Sequence, residues 1–236
     1  VPLSTKKSLR ALRDMGIKLF ISTGRHLTEL KKLPLDDLEF DGYITLNGQL
    51  ILDGDEHLIY DMPFHQDISD ALVRMFNEKK LPIILIEEKQ MDINFANDLV
   101  RKVQSDISSP VPSIQEYDGK PIYQSCAYIK KEEENSFSQC LPEGAKITRW
   151  NDGGVDIISS NGGKIYGIQK ILELTHISQD QIIAFGDGEN DIEMLKYASI
   201  GVAMGNAPEI VKETADYVTD DIDQNGIYHA LKQYHI

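Results

Sequence analysis

The chain predicts an α/β fold, a doubly wound parallel sheet interrupted by an inserted α+β module. Three observations predict it. Short apolar runs that end at glycine lie near both ends of the chain: Ile17-Lys18-Leu19-Phe20-Ile21 before Ser22-Thr23-Gly24-Arg25, and Ile182-Ile183-Ala184-Phe185 before Gly186-Asp187-Gly188. Each leads into a helical pattern, the signature of βα units in a parallel sheet. Between about residues 62 and 154, helices and strands alternate without such glycine ends, as in an α+β module with an antiparallel sheet.

Composition bounds the reading. The chain has 236 residues, of which 41% are hydrophobic, enough for one large domain or two small ones. Its formal net charge of -14, from 24 basic and 38 acidic residues, argues against nucleic acid or an anionic membrane as the main partner. A phosphorylated substrate stays open, because a metal and one lysine offset charge locally. The longest apolar run, near Pro82 to Ile86, is too short to span a bilayer, and residues 1–10 read as a polar helix start rather than a leader. Cys126 and Cys140 make no disulfide framework, so a reduced, cytoplasmic chain is expected. The six histidines show no zinc-type spacing.

In order, Ser4 reads as an N-cap for a helix carrying Leu9, Leu12 and Met15, stopped at Gly16. A strand follows at 17–21. The hydroxyl and glycine of Ser22-Thr23-Gly24-Arg25 suit a phosphate held by a side chain and bare backbone N–H groups, and serve equally well as a turn or a helix cap. A short helix runs to Lys32. Residues 43–46 form a buried strand before Asn47-Gly48, and 49–53 and 58–61 pair as a hairpin around Gly54-Asp55. Asn47 could face a ligand, but an Asn-Gly turn has its own structural reason to exist, and the turn is slightly favoured.

The inserted segment carries helices at 68–77, 97–103 and 132–139. Its strands fall at 83–87, 92–95, 124–129, 146–150 and 155–159, with a connector at 108–113. Asn161-Gly162-Gly163-Lys164 then enters a helix through Ile165, Ile168, Ile171 and Leu172. A lysine there can reach an anion; taken alone, it reads as a solvated lysine beside a turn. A strand at 201–204, a helix at 208–215, a strand at 217–219 and a helix at 226–234 complete a βαβα pattern.

The densest chemistry is at Gly186-Asp187-Gly188-Glu189-Asn190-Asp191, where a strand ends and a helix begins, the place where open α/β sheets bind ligands. Asp187 and Asp191 are hard oxygen donors suited to Mg²⁺, which keeps waters and takes one or two protein carboxylates. Asp-Gly after a strand is also an ordinary turn, and acids in a first helical turn complement the dipole. A calcium loop fails on pattern, because Ile192 stands where that loop needs glycine.

Together and in this order the fragments resemble the haloacid dehalogenase (HAD) superfamily, in its branch of Cof-type phosphatases with an inserted C2-type cap. Ser22-Thr23-Gly24-Arg25 resembles the second motif of that family, Lys164 the third, Gly186 to Asp191 the fourth, and Val202-Ala203-Met204-Gly205-Asn206-Ala207 the segment that follows. The resemblance covers the core, about half of the chain; the cap matches in position, size and element pattern. It implies a Rossmann-like core at residues 1–61 and 155–236, with a cap at 62–154. It implies catalytic roles for Lys164 and Asp187, and phosphate or substrate contacts from Thr23, Gly24, Arg25, Asn47, Lys164 and Asn190. Mg²⁺ would sit at Asp187 and Asp191. The implied activity is hydrolysis of a small phosphorylated metabolite, a sugar phosphate or vitamin-precursor phosphate, through an aspartyl-phosphate. The same core also serves phosphomutases, and a non-catalytic binder of phosphometabolites would share it. Oligomeric state is open.

One motif of the family is absent. The Asp-x-Asp-Gly-Thr of its first strand, which carries the nucleophile, would precede the helix at Ser4, and Asp14 lies on that helix rather than at a strand end. That strand is central, so the strands at Ile17 and Ile182 are expected to show open apolar edges, and the nucleophile is expected upstream of Val1.

Overall fold

Apolar alternation and glycine punctuation set the elements. The computed structural model describes residues 1–35 and 37–236. The first part of the core comprises α1 (Leu3–Asp14), β1 (Phe20–Ser22), α2 (Leu27–Leu30), β2 (Gly42–Thr45), β3 (Leu50–Asp53) and β4 (Leu58–Asp61). Then come α3 (Gln66–Glu78), β5 (Ile83–Ile86), β6 (Met91–Ile93), α4 (Asp98–Asp106), β7 (Ser113–Ile114), β8 (Gln124–Ala127), α5 (Glu134–Ser138), β9 (Ala145–Asn151) and β10 (Gly154–Ser159). The core resumes with α6 (Lys164–Thr175), β11 (Ile183–Gly186), α7 (Ile192–Tyr197), β12 (Ile200–Ala203), α8 (Glu209–Lys212), β13 (Tyr217–Val218) and α9 (Gly226–Gln233).

Two boundaries differ from the sequence reading. Helix α1 starts at Leu3, after Pro2, so Ser4 lies inside it and makes no side-chain cap. The ordered pairing of β1 begins only at Phe20, where its parallel partner β2 begins at Gly42. Gly16 does stop α1: its φ of +79° is in the left-handed region, and its N–H closes on the Arg13 carbonyl at 2.8 Å.

The cap sheet has the order β7-β6-β5-β8-β10-β9. Its central strand pairs are antiparallel, while β7 joins β6 in parallel. Its apolar strands are buried on both faces. Ile83 and Leu85 face Ile68, Leu72 and Phe76 of α3, whereas Ile84 and Ile86 face Val100 and Val103 of α4 together with Leu46 and Leu50 of the core. Full burial of such side chains stabilises by roughly 1.5–3 kcal/mol each, so this double-sided packing fixes the register of β5. The pairing of β10 with both β8 and β9 puts residues 154–159 in the cap sheet. The second crossover therefore falls after Ser159, not at residue 155, because the ladder on both edges of β10 is made by cap strands.

Among the described residues the core strands form two sheets. β1-β2-β3-β4 form the first, parallel between β1 and β2 and antiparallel beyond; β11-β12-β13 form a parallel second. Strand β11 alternates as a doubly covered strand should. Ile183 and Phe185 pack with Leu12 of α1 and Leu231 of α9, and Ala184 packs with Met194 and Leu195 of α7. β1 and β11 each end their sheets. Between them lies a slot of about 520 Å³, lined by Phe20, Ile44, Ile183, Phe185, Ile171 and Leu231 among others. The open apolar edges expected from the sequence are thus present, and they face one another across this slot.

Candidate functional site

The loops at the C-terminal ends of β1, β2 and β11 converge on the cap. Backbone bonds join the first two: the Asn47 N–H donates to the Thr23 carbonyl at 3.0 Å, the Leu46 N–H to the Arg25 carbonyl at 3.3 Å, and the Thr23 N–H to the Ile44 carbonyl at 2.8 Å. The Thr23 hydroxyl accepts the Arg25 N–H at 3.1 Å, so it caps its own turn while facing the cavity. Gly24 sits in close approach: a Cβ there would stand 3.0 Å from the Asn47 side-chain nitrogen and 3.2 Å from an Asp156 oxygen, tighter than ordinary contact.

Lys164 opens α6. It is placed by Gly163, whose φ of +136° favours glycine. Its Nζ donates to Asp191 Oδ1 at 2.5 Å, and both side chains are buried. Asp191 Oδ2 accepts the N–H groups of Asp187 and Gly188, at 3.0 and 2.9 Å. The Asp191 carboxylate therefore folds the strand-end loop around itself, and Gly186 makes room for it, since a Cβ there would lie 2.5 Å from that of Asp191. Asp187, by contrast, is exposed; its Oδ2 accepts the Asn206 side-chain amide at 2.8 Å. Residues 189–191 make one 3₁₀ turn, and α7 follows from Ile192.

Thr23, Gly24, Arg25, Lys164, Asp187, Asn190 and Asp191 all line one cavity of about 650 Å³ between core and cap. Arg25 makes no side-chain hydrogen bond or ion pair among the described residues and is free to meet a ligand. Asn47, singled out as a ligand contact, sits behind this wall, fully buried. Its Nδ2 donates to Gln124 Oε1 at 3.0 Å and to Asp156 Oδ2 at 2.9 Å, while its Oδ1 accepts Asn190 Nδ2 at 3.0 Å. Asn47 and Gly48 have φ of 53° and 92°, which is the turn favoured from the Asn-Gly pair.

Three residues escaped the sequence reading. Gln124 and Asp156 reach the site from β8 and β10 of the cap. Asp156 carried a signal, being one carboxylate inside the apolar run Val155-Asp156-Ile157-Ile158. Burial pushes its carboxyl up to about 7, against the opposing effects of the Asn47 amide, the Trp150 indole and Lys164. His26 is the third. Its Nε2 lies 2.9 Å from the Glu88 carbonyl of the cap, and its Nδ1 accepts the Thr28 N–H at 3.2 Å, so Nε2 carries the proton. Burial holds the imidazole below its ordinary range.

A family model described as haloacid dehalogenase-like hydrolase matches residues 1–231. This chain belongs to the haloacid dehalogenase-like hydrolases. Among curated relatives, the Bacillus subtilis protein YkrA is 32% identical over 99% of this chain and 90% of its own length. The 5-amino-6-(5-phospho-D-ribitylamino)uracil phosphatase YcsE of Bacillus subtilis is 28% identical over 97% of this chain and 86% of its own. Among solved structures, a phosphatase of the superfamily from Bacteroides thetaiotaomicron superposes with a TM-score of 0.90 at 31% identity, covering 100% of this chain and 88% of that one. The subclass IIB sugar phosphatase BT4131 gives 0.87 at 35% identity, with 100% and 92% covered. The Cof-type resemblance and the capped α/β fold are thereby established, and the enzyme is a phosphoric monoester hydrolase. No helix among the described residues is long and apolar enough to cross a membrane.

Proposed function

We propose that this HAD hydrolase is a Mg²⁺-dependent phosphatase that releases phosphate from a small phosphorylated metabolite through an aspartyl-phosphate. The observation that carries the reading is the convergence of Thr23, Gly24, Arg25, Lys164, Asp187 and Asn190 on one cavity between core and cap. The Thr23 hydroxyl and the Gly24 backbone N–H hold phosphoryl oxygens, Asn190 adds a donor, and Lys164 supplies a fixed positive charge as the phosphoryl group transfers. Such positioning with charge neutralisation is most of what in-line phosphoryl transfer needs.

The donor set suits Mg²⁺. Asp187 presents an exposed carboxylate, a hard oxygen donor of the kind Mg²⁺ takes from a protein one or two at a time. Asp187 would hold the ion, and Asp191, whose oxygens serve Lys164 and two backbone N–H groups, would support the loop and complete the site from behind. Bound Mg²⁺ would neutralise charge on the phosphoryl oxygens.

None of the described site residues is aimed as a nucleophile, since Thr23 has no adjacent base: the His26 ring is spent on Thr28 and Glu88. The slot between β1 and β11 supports a further strand paired in parallel with both, and its C-terminal end would open beside Thr23 and Asp187. We place the nucleophilic Asp on such a strand, upstream of Val1. The leaving group would fill the cap side of the cavity. A sugar or ribityl phosphate is favoured by the relatives named for such substrates. The two free cysteines, Cys126 buried and Cys140 exposed, suit the reducing cytoplasm.

The test is phosphate release from p-nitrophenyl phosphate, sugar phosphates and ribityl phosphates, with Mg²⁺ or with EDTA. Residues 1–236 are assayed alone and extended by the upstream coding sequence. The extended form should turn over and the shorter one should not. Equal rates from both would overturn the placement of the nucleophile, and activity unchanged by EDTA would overturn the metal assignment.

A further inference from the structure

Several polar contacts join cap and core, His26 to the Glu88 carbonyl and Tyr123 to Asp61 among them, and two of them meet on one buried side chain, Asn47. An asparagine amide offers two N–H donors and one strong acceptor, and in Asn47 all are engaged with other side chains: the donors with Gln124 and Asp156 of the cap, the acceptor with Asn190 of the core. Gln124 is oriented in turn, because its Nε2 donates to the Gly24 carbonyl at 3.2 Å. Turning the Asn47 amide over would set its carbonyl against a carboxylate and a carbonyl, and its NH₂ against the Asn190 amide, losing three bonds in a buried site. An ionised Asp156 only accepts, so it dictates which way Asn47 points. The backbone of Asn47 is fixed as well: φ 53°, ψ 38°, next to Leu46 at φ 50°, both fully buried, which is a cluster of uncommon non-glycine conformations that neighbouring structure must hold.

We propose that Asp156 and Gln124, on the cap sheet, orient the Asn47 amide and through it place Asn190 at the phosphoryl site, so that Asn47 and Asp156 are positioning residues that couple seating of the cap to readiness of the core. The inference rests on the phosphatase reading for its consequence in turnover, but the coupling itself is independent of that reading. Asn47 lies behind the cavity wall, and the Asp156 carboxylate, at the wall itself, gives its Oδ2 to Asn47. With the cap lifted away, the Asn47 amide loses both acceptors and Asn190 loses its fixed partner. The Asp187 loop then keeps its contacts with Asp191 and Asn206 but loses the cap's hold on Asn47.

The experiment uses the full-length protein and the variants Asp156→Ala, Asp156→Asn and Asn47→Ala. Side-chain amide resonances of Asn190, identified by their loss in Asn190→Ala, are compared between parent and Asp156→Ala. They should shift in Asp156→Ala and return towards the parent's in Asp156→Asn, whose carbonyl can still accept from Asn47. In turnover of p-nitrophenyl phosphate, Asp156→Ala and Asn47→Ala should each lower kcat about tenfold or more with KM near the parent's, and the double variant should be no worse than either. A role confined to stability would lower the melting temperature and leave kcat per folded enzyme unchanged. If Asp156→Ala does not fold, the Asp156→Asn and Asn47→Ala spectra decide. Asn190 resonances unmoved by removing Asn47 overturn the proposal. A parent without turnover counts against the phosphatase reading, and the amide comparison still tests the coupling.

Discussion

Replacing Lys164 with methionine separates the structural role of this side chain from its chemical one. The Lys164 Nζ lies 2.5 Å from Asp191 Oδ1, and both side chains are buried, at 8% and 6% exposure. Removing one partner of a buried pair costs about 3–5 kcal/mol, because the other charge is left without compensation. Asp191 keeps two backbone donors on Oδ2, which places the expected loss near the low end, about 3 kcal/mol. With a urea slope of about 3 kcal/mol/M, the unfolding midpoint should fall by about 1 M. Turnover should suffer separately. Losing one preorganised charge costs roughly 3–4 kcal/mol of transition-state stabilisation by analogy with oxyanion-hole donors, a drop of about 10²–10³-fold in kcat/KM. The double variant Lys164→Met/Asp191→Asn removes the stranded charge and should recover much of the stability without recovering activity. The assay is urea unfolding by circular dichroism beside initial rates on p-nitrophenyl phosphate. A loss below tenfold in kcat/KM for the single variant would refute the chemical role and leave Lys164 as a structural ion-pair partner.

Other substitutions probe the remaining parts. Asp187→Asn removes an exposed carboxylate with no packing role, so the melting temperature should hold while Mg²⁺-dependent turnover is abolished; near-normal rates at saturating Mg²⁺ would exclude Asp187 as the metal ligand. Gly24→Ala inserts a Cβ within 3.0 Å of the Asn47 amide and 3.2 Å of Asp156, so kcat should fall, read against an unchanged fold by circular dichroism. Asp156 should also make stability depend on pH. Its folded value of about 7 exceeds the ordinary 3.8, so between these the folded state keeps a proton that the unfolded chain gives up, and stability falls as pH rises. The span corresponds to at most about 4 kcal/mol. His26, held low by burial, contributes a slope of opposite sign that is lost as pH falls below its ordinary range. Subtracting Asp156→Asn from the parent cancels the histidine effect. The parent's stability relative to the variant should decrease from about pH 4 to about pH 7, and a flat difference in urea unfolding would refute the buried carboxyl.

By itself the sequence determined the local features of this enzyme. The glycine-ended apolar runs announced β1 and β11, and the order of Thr23, Lys164 and Asp187 announced the motifs, because strand ends, turns and helix starts depend on neighbours a few residues apart. Tertiary structure decided what depends on distant segments meeting. Strand β10 pairs with β8 on one edge and β9 on the other, a ladder that only the folded chain reveals. Asn47 and Asn190 are 143 residues apart, and Asn47 and Asp156 are 109 apart. Only their meeting reveals that Asn47 is spent on its neighbours rather than open to a ligand. Only the folded chain shows, likewise, that the Asp191 carboxylate meets Lys164 and the Asp187 loop. Side-chain chemistry is written in the sequence, but which hydrogen-bonding groups remain unsatisfied at a site is known only once the chain has folded and its buried polar groups have found their partners.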